Sequence, residues 1–263
     1  MALRSRAVRS AVIAAVGALL CACATPPADP DERTAFYQTN DPLEPTNRVI
    51  FDANMFVDKW AIEPVARAYR DDVPEFLQDS IRSGLQWAHE PVVVANNVLQ
   101  ADVSSAGRTT TRFLINGLLG PVGLRDMAKR AGYGEQVGDF GQTLHVWGLP
   151  EGPYLVLPLF GPSNVRDAVG MGVDAFMDPI RYLEEFNEST LATWGRVAMQ
   201  GLDERAQNID SLDEIRRSAV DFYAELRSIV RQHRAAQLHE PSPAASPAAS
   251  DLYSDPAAGA KQP

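Results

Sequence analysis

Pro74-Glu75-Phe76-Leu77-Gln78-Asp79-Ser80-Ile81-Arg82-Ser83-Gly84-Leu85-Gln86-Trp87-Ala88 decides the fold class. Phe76, Leu77, Ile81, Leu85 and Ala88 recur at the spacings that place side chains on one stripe of an α-helix. The same rhythm returns in Val103, Ala106, Thr110, Phe113 and Leu114. It returns in Leu191, Trp194, Ala198, Leu202 and Ile209, and again in Leu212, Ile215, Ala219, Phe222, Leu226 and Ile229. Each stripe reads as a core-facing one, with a membrane-facing role as the alternative. Strand-like alternation is almost absent, and only Tyr154 to Phe160 reads as a short extended piece. The expected fold is all-α.

Working outward, the middle of the chain is dense in glycine, from Gly117, Gly120 and Gly123 to Gly161. Such glycines permit close helix approach or mobile loops. One internal echo stands out. Leu119-Gly120-Pro121-Val122-Gly123-Leu124-Arg125-Asp126 is matched 41 residues later by Phe160-Gly161-Pro162-Ser163-Asn164-Val165-Arg166-Asp167. Both read as a Gly-Pro turn followed by a helix start, which is reused turn chemistry. The sharper reading makes them equivalent loops pinned by Arg125–Asp126 and Arg166–Asp167 pairs.

At the N-terminal side, Arg4, Arg6 and Arg9 precede ten apolar residues, Ala11 to Leu20. That length suits the hydrophobic region of an export signal and is too short to span a bilayer. Leu20-Cys21-Ala22-Cys23 then resembles the bacterial lipobox, with Leu at −3 and a small residue at −1. The thiol of Cys23 would carry a diacylglycerol. The alternative is an ordinary secretory signal, since Ala22-Cys23-Ala24 also matches a small-x-small cleavage site and would leave Thr25 first. Ala24, by resemblance to known lipoprotein sorting, points to the outer membrane. The expected segments are a signal at residues 1–22, a lipidated flexible tether at 23–39, a helical domain at 40–238 and a disordered tail at 239–263. The tail from Pro241 onward is rich in Pro, Ala and Ser.

Hydrophobic content of 45% is enough for a core. Without the three signal arginines, 21 basic residues face 34 acidic ones, a net charge of about −13. Such a surface is repelled by nucleic acid and by anionic headgroups. Membrane attachment must therefore come from acyl chains and apolar contact. Only one cysteine survives processing, so no internal disulfide is expected.

Catalytic patterns are missing. His89, His145, His233 and His239 form no metal-binding spacing, so neither a metal nor another cofactor is expected. Gly161-Pro162-Ser163-Asn164-Val165 lacks the second glycine of a nucleophile elbow. His89 and His145 read as hydrogen-bonded structural groups. Glu184-Glu185 and Asp213-Glu214 are neighbours in sequence and so do not face each other on a helix.

The strongest local signature is Asn40-Asp41-Pro42-Leu43-Glu44-Pro45-Thr46-Asn47-Arg48, continuing to Phe51 and Asn54. It reads as a proline-constrained helix entry with Asp41 or Asn47 as a cap. Arg48 reads as half of an internal ion pair, or as a phosphate contact. This segment resembles the MlaA (VacJ) family of lipid-asymmetry lipoproteins. The likeness continues in Pro64 to Arg70, Glu90-Pro91, Asn96 to Gln100, Thr111 to Asn116 and Gly138 to Leu144. It runs on through Gly152-Pro153-Tyr154, Leu157-Pro158, Ser163 to Asp167 and Glu204-Arg205-Ala206. Thr46 stands where the family usually has Phe.

The resemblance implies a ring-like helical protein in the inner leaflet of the outer membrane, facing the periplasm, with an amphipathic channel. Phospholipid would leave the outer leaflet through it, beside a trimeric porin, and pass to a soluble periplasmic carrier. That makes the chain a conduit and not an enzyme; the alternatives are a structural tether for porin or peptidoglycan, and a hydrolase built on Ser163. Trp60, Trp87, Trp147 and Trp194 would mark the membrane interface or pack in the core. Gly117, Gly120 and Gly123 would line the channel or act as its gate. Replacing Gly120 and Gly123 by Ala is expected to change lipid clearance without unfolding the protein.

Overall fold

The computed structural model describes residues 40–179 and 190–239. The signal segment, Cys23, the tether, Glu184-Glu185 and residues 240–263 lie outside the described residues. Ten α-helices and one hairpin make up the described part. In chain order they are α1 (Glu44–Val57), α2 (Glu63–Asp72), α3 (Glu75–Leu99), α4 (Val103–Leu118), α5 (Met127–Arg130) and α6 (Phe140–Val146). They continue with β1 (Tyr154–Leu157), β2 (Gly161–Asn164), α7 (Val165–Met177), α8 (Thr190–Gln207), α9 (Ile209–Ser218) and α10 (Phe222–His239).

The helix starts have a local cause. Asp102, Asp126, Asp139 and Asn164 each accept the backbone N–H three residues on, and so cap α4, α5, α6 and α7. Between α1 and α2 the chain takes one π-helical turn, Asp58–Ile62, in which the Glu63 N–H donates to the Asp58 carbonyl. Pro64 explains it. Its ring nitrogen has no hydrogen for the Trp60 carbonyl and its ring crowds that oxygen, so the ladder opens by one residue.

Helix α3 pairs most extensively with α4, and also contacts α6 and α8; α6 lies on α7, and α2 on α8. Helix α3 is longer than its stripe: it continues to Leu99 with Pro91 inside. The stripe from Leu212 to Ile229 is not one helix. It breaks at Ala219, which is extended, and α10 follows from Asp221, whose carboxylate accepts the Ala224 N–H. The extended piece at Tyr154 is one strand of an antiparallel hairpin with β2, Tyr154 opposite Asn164 and Leu157 opposite Gly161. The two Gly-Pro segments therefore differ. Pro121–Gly123 is a 3₁₀ turn, whereas Gly161 and Pro162 open β2.

The signature at the start of the domain docks this hairpin. Asn47, on α1, donates to the Tyr154 carbonyl at 3.1 Å and accepts the Val156 N–H at 3.0 Å. Asn54, two turns on, does the same for the Leu157 carbonyl and the Leu159 N–H at 2.9 Å each. Neither Asp41 nor Asn47 caps α1: the helix begins after Leu43 with no side-chain cap. Asp41 instead accepts from Asn47, Tyr223 and Arg227 in the interior. Phe51, Tyr154, Val156 and Tyr223 close over these bonds as one apolar cluster; Ala66, Tyr69, Ala206 and Ile209 form a second.

Candidate functional site: a polar interior in an apolar shell

The buried set is unusually polar. Among the described residues, 14 hydrophobic residues are buried alongside 16 polar or charged ones, and 28 large hydrophobic residues are exposed. Isolated apolar residues on a surface are ordinary, but apolar exposure on this scale marks a membrane or partner surface. Phe76 and Leu77, from the stripe that decides the fold class, are both exposed, as are Val103 and Leu114. Those stripes are only partly core-facing. Trp60, Trp147 and Trp194 are exposed too. Trp60 leans on Phe56 at 6.4 Å between ring centroids and Trp147 on Phe140 at 5.8 Å. Trp87 is half-buried, stacked on Phe113 at 5.1 Å.

The interior polar groups are bonded in networks. Arg112, on α4, is 2% exposed and spreads its guanidinium over three acceptors. These are Glu90 on α3 at 3.0 Å, the Tyr133 carbonyl at 2.5 Å and Asp126 at 3.1 Å. Asp126 also accepts from Asn116 and from the Lys129 N–H. Burial works to raise the Asp126 carboxyl, but the Lys129 N–H and Arg112 outweigh it and hold it below the usual carboxylate range. At Glu90 the balance tips the other way: burial pushes its carboxyl up to about 7 despite Arg112.

A second network joins α3 to α6 and α7. Asn96 donates to Asp174 at 2.7 Å and accepts from Thr143 at 2.9 Å, and Asp174 also takes the Phe140 N–H. A third ties α10 to the cap of α6 and to the first turn of α7. Arg234 reaches both oxygens of Asp139 at 2.7 Å, and Asp167 at 2.9 Å. Burial raises the Asp167 carboxyl, and Arg234 with Arg166 overcomes that and lowers it. Arg205 on α8 pairs with Asp58 at 2.7 Å, which gives the π turn its anchor.

Between α3, α4, α8 and the segment around Glu135 lies a cavity of about 290 Å³. Its walls carry Arg82, Gln86, His89, Glu90, Thr109, Arg112, Glu135, Gln136, Gln200, Asp203, Glu204 and Gln207, with only Leu85 and Val93 apolar. His89 lies on this space, and burial lowers its pKa. A second hollow, of about 580 Å³, lies between the hairpin, α7 and α10.

The candidate residues fall in different places. Arg48 bonds Glu44 at 2.8 Å and Asp221 at 2.6 Å and lies 4.4 Å over the Tyr223 ring, joining α1 to the α9–α10 junction. Arg166 meets Asp167 at 3.0 Å. Arg125 is exposed and forms no pair with Asp126, whose arginine is Arg112. Gly117, Gly120 and Gly123 gather at the end of α4 and around Trp87, and none lines the polar cavity. A Cβ on Gly120 would stand 2.1 Å from the Arg125 carbonyl oxygen. One on Gly123, at φ +80°, would stand 2.5 Å from Trp87. The expectation that alanine at both positions spares the fold is therefore corrected: Gly120 is closed in by backbone and Gly123 needs left-handed geometry. Ser163 donates to the Asn164 carbonyl at 3.4 Å and not to a histidine.

The model of the family described as MlaA lipoprotein matches residues 39–237. The chain belongs to the MlaA lipoprotein family. The intermembrane phospholipid transport system lipoprotein MlaA of Escherichia coli is 33% identical over 217 residues, covering 80% of each chain. Its Haemophilus influenzae namesake is 28% identical over 237 residues, 88% of this chain and 90% of that one. A solved structure concerned with the structural basis for maintenance of bacterial outer membrane lipid asymmetry superposes with a TM-score of 0.67 at 31% identity. It covers 76% of this chain and 99% of its own. Among the described residues of this MlaA family member, no helix is long and apolar enough to cross a membrane.

Sequence reasoning missed Asp58, Glu90, Asp126 as Arg112's partner, Asp174 and Arg234. Glu90 and Arg112 lie off the apolar stripes of their helices, where a charge reads as solvated; the signal that touched them was the family likeness of Glu90-Pro91 and Thr111 to Asn116.

Proposed function

We propose that this protein is an outer-membrane lipoprotein that takes mislocalised phospholipid from the outer leaflet and releases it toward the periplasm. One observation carries the reading: apolar side chains face outward while the interior is lined with bonded polar groups around a cavity. A phospholipid needs a polar route for its headgroup and an apolar one for its tails. A body with exposed Phe76, Leu118, Phe160 and Trp194 outside and Glu90, Arg112 and Asp203 inside offers both. Its helices keep most backbone bonds internal, as an apolar leaflet requires.

Attachment comes from acyl chains on Cys23, with the body held at the periplasmic face of the membrane. One chain alone holds marginally, and several make the anchor lasting. A trimeric porin and a soluble periplasmic lipid carrier complete the route. The names of the relatives, which place them in an intermembrane phospholipid transport system, support a path between membranes. The protein acts without bond-making chemistry. The cavity favours this reading over that of a structural tether.

The test is the phospholipid content of the outer leaflet in cells carrying and lacking the protein. Loss of the protein should raise it, and Cys23→Ser should behave as the loss. Equal outer-leaflet phospholipid in both strains would refute the conduit.

A further inference from the structure

The last helix, α10, is held in two unlike halves. Its first half is locked by packing. Tyr223 is buried in the apolar cluster with Phe51 and Tyr154, and Arg227 bonds the buried Asp41 at 2.7 Å. Past Tyr223 no described side chain of the helix is buried, and Ser228 and Ile229 stand exposed at its middle. Val230, Arg231, Arg234, Ala235 and Leu238 then form one wall of the larger hollow.

Charge fastens this second half across the hollow. Arg227, Arg231 and Arg234 recur at i, i+4 and i+7 and so share a face. Arg231 donates to Glu151, just before the hairpin, at 2.8 Å. Arg234 reaches Asp139 at the start of α6 and Asp167 at the start of α7. These partners are part-exposed, and water can solvate both sides of each pair once the helix end lifts. A segment fastened that way opens locally at far lower cost than the domain unfolds.

Opening would uncover a space of ligand size with Tyr154, Phe160 and Met171 in its far wall. This space backs onto the polar cavity. Asp174 lines the hollow and bonds Asn96 on α3, and its charge acts on His89 in the cavity. We infer that residues 230–238 are a lid, latched by Arg231 and Arg234, over a chamber through which lipid leaves the polar interior. The inference rests on the conduit reading and adds the moving part that controls release.

Hydrogen exchange on the full-length lipidated protein in detergent reads the lid. Amides of residues 230–238 should exchange about tenfold faster in Arg231→Gln/Arg234→Gln than in the wild type, the scale of two part-exposed ion pairs. Those of residues 222–227 should keep their rate. Arg231→Gln alone should move the same segment less, and it decides if the double variant does not fold. Exchange that rises along the whole helix, or nowhere, would overturn the lid. For release, Glu151→Cys/Arg231→Cys is joined by a reducible bis-maleimide; Cys23, once acylated, offers no thiol to it. Loaded with nitrobenzoxadiazole-labelled phosphatidylethanolamine, the joined protein should pass it to phosphatidylcholine vesicles about tenfold more slowly. Reduction should restore the rate. An unchanged rate would overturn the chamber's part in release. A protein that takes up no phospholipid would overturn the conduit, and the exchange measurement would still decide the lid.

Discussion

The region around Phe51 and the region around Arg112 solve the same packing problem in opposite ways. At Phe51, apolar rings close on each other: Tyr223 meets Phe51 edge-on at 5.3 Å between centroids and Phe222 at 5.6 Å. Polar groups there are short, such as Asn47 and Asp41, and are sealed under the rings. At Arg112 the centre is a guanidinium bonded to two carboxylates and a carbonyl, beside a cavity. The first is a core that would suit any water-soluble domain. The second makes sense where the outside is apolar and the inside must be passable to a headgroup.

The sharpest way to break this contrast is Arg112→Ala. It strands Glu90 and Asp126 without their cation, and loss of one partner of a buried pair costs on the order of 3–5 kcal/mol. Urea denaturation should show a drop of that size. A loss under about 1 kcal/mol would mean the region is wetter than its burial suggests.

Next in size is the pH response of Glu90. Its folded-state carboxyl is raised to about 7 from an ordinary value of 4.5, so the fold binds its proton more tightly than the unfolded chain does. Its contribution is therefore most favourable below about 4.5 and is lost as pH rises toward 7, on the order of 3 kcal/mol in all. The melting-temperature difference between wild type and Glu90→Gln should shift against the wild type over that window. A difference flat with pH would remove Glu90 from the buried network.

Gly120→Ala should cost roughly 1–3 kcal/mol, because its new methyl meets the Arg125 and Asn116 carbonyls. Thermal melting measures it, and an unchanged melting temperature would show that the α4 end yields easily. Arg48→Gln is the smallest effect. Its partners Glu44 and Asp221 are part-exposed, so about 0.5 kcal/mol is expected by the same melting assay. A loss above 2 kcal/mol would make this corner part of the core.

The contrast also explains what could be read from sequence. Helical spacing at Phe76, Ile81 and Leu85 was enough to place α3, because periodicity is local. Which way such a stripe faces was not, since Phe76 has the same spacing whether it meets a core or a lipid tail. Glu90, Asn96 and Asn97 sit on that same helix and are buried. Their partners lie 12 to 78 residues away, on α4, α6 and α7, and no local pattern reports them. The hairpin was half legible: Tyr154 to Leu157 reads as extended, but Gly161-Pro162-Ser163-Asn164 carries no strand signal and is held by its pairing alone. The Arg–Asp echo misled at its first copy, where Asp126 turns inward to Arg112 and Arg125 does not follow.

The central claim is that phospholipid passes through the polar interior and not over the outer surface. A photoreactive residue at Gln200, in the cavity wall, and another at Glu214, on the exposed face of α9, would test it in living cells. The account predicts phospholipid adducts at Gln200 and none at Glu214. Adducts at Glu214 with none at Gln200 would contradict it.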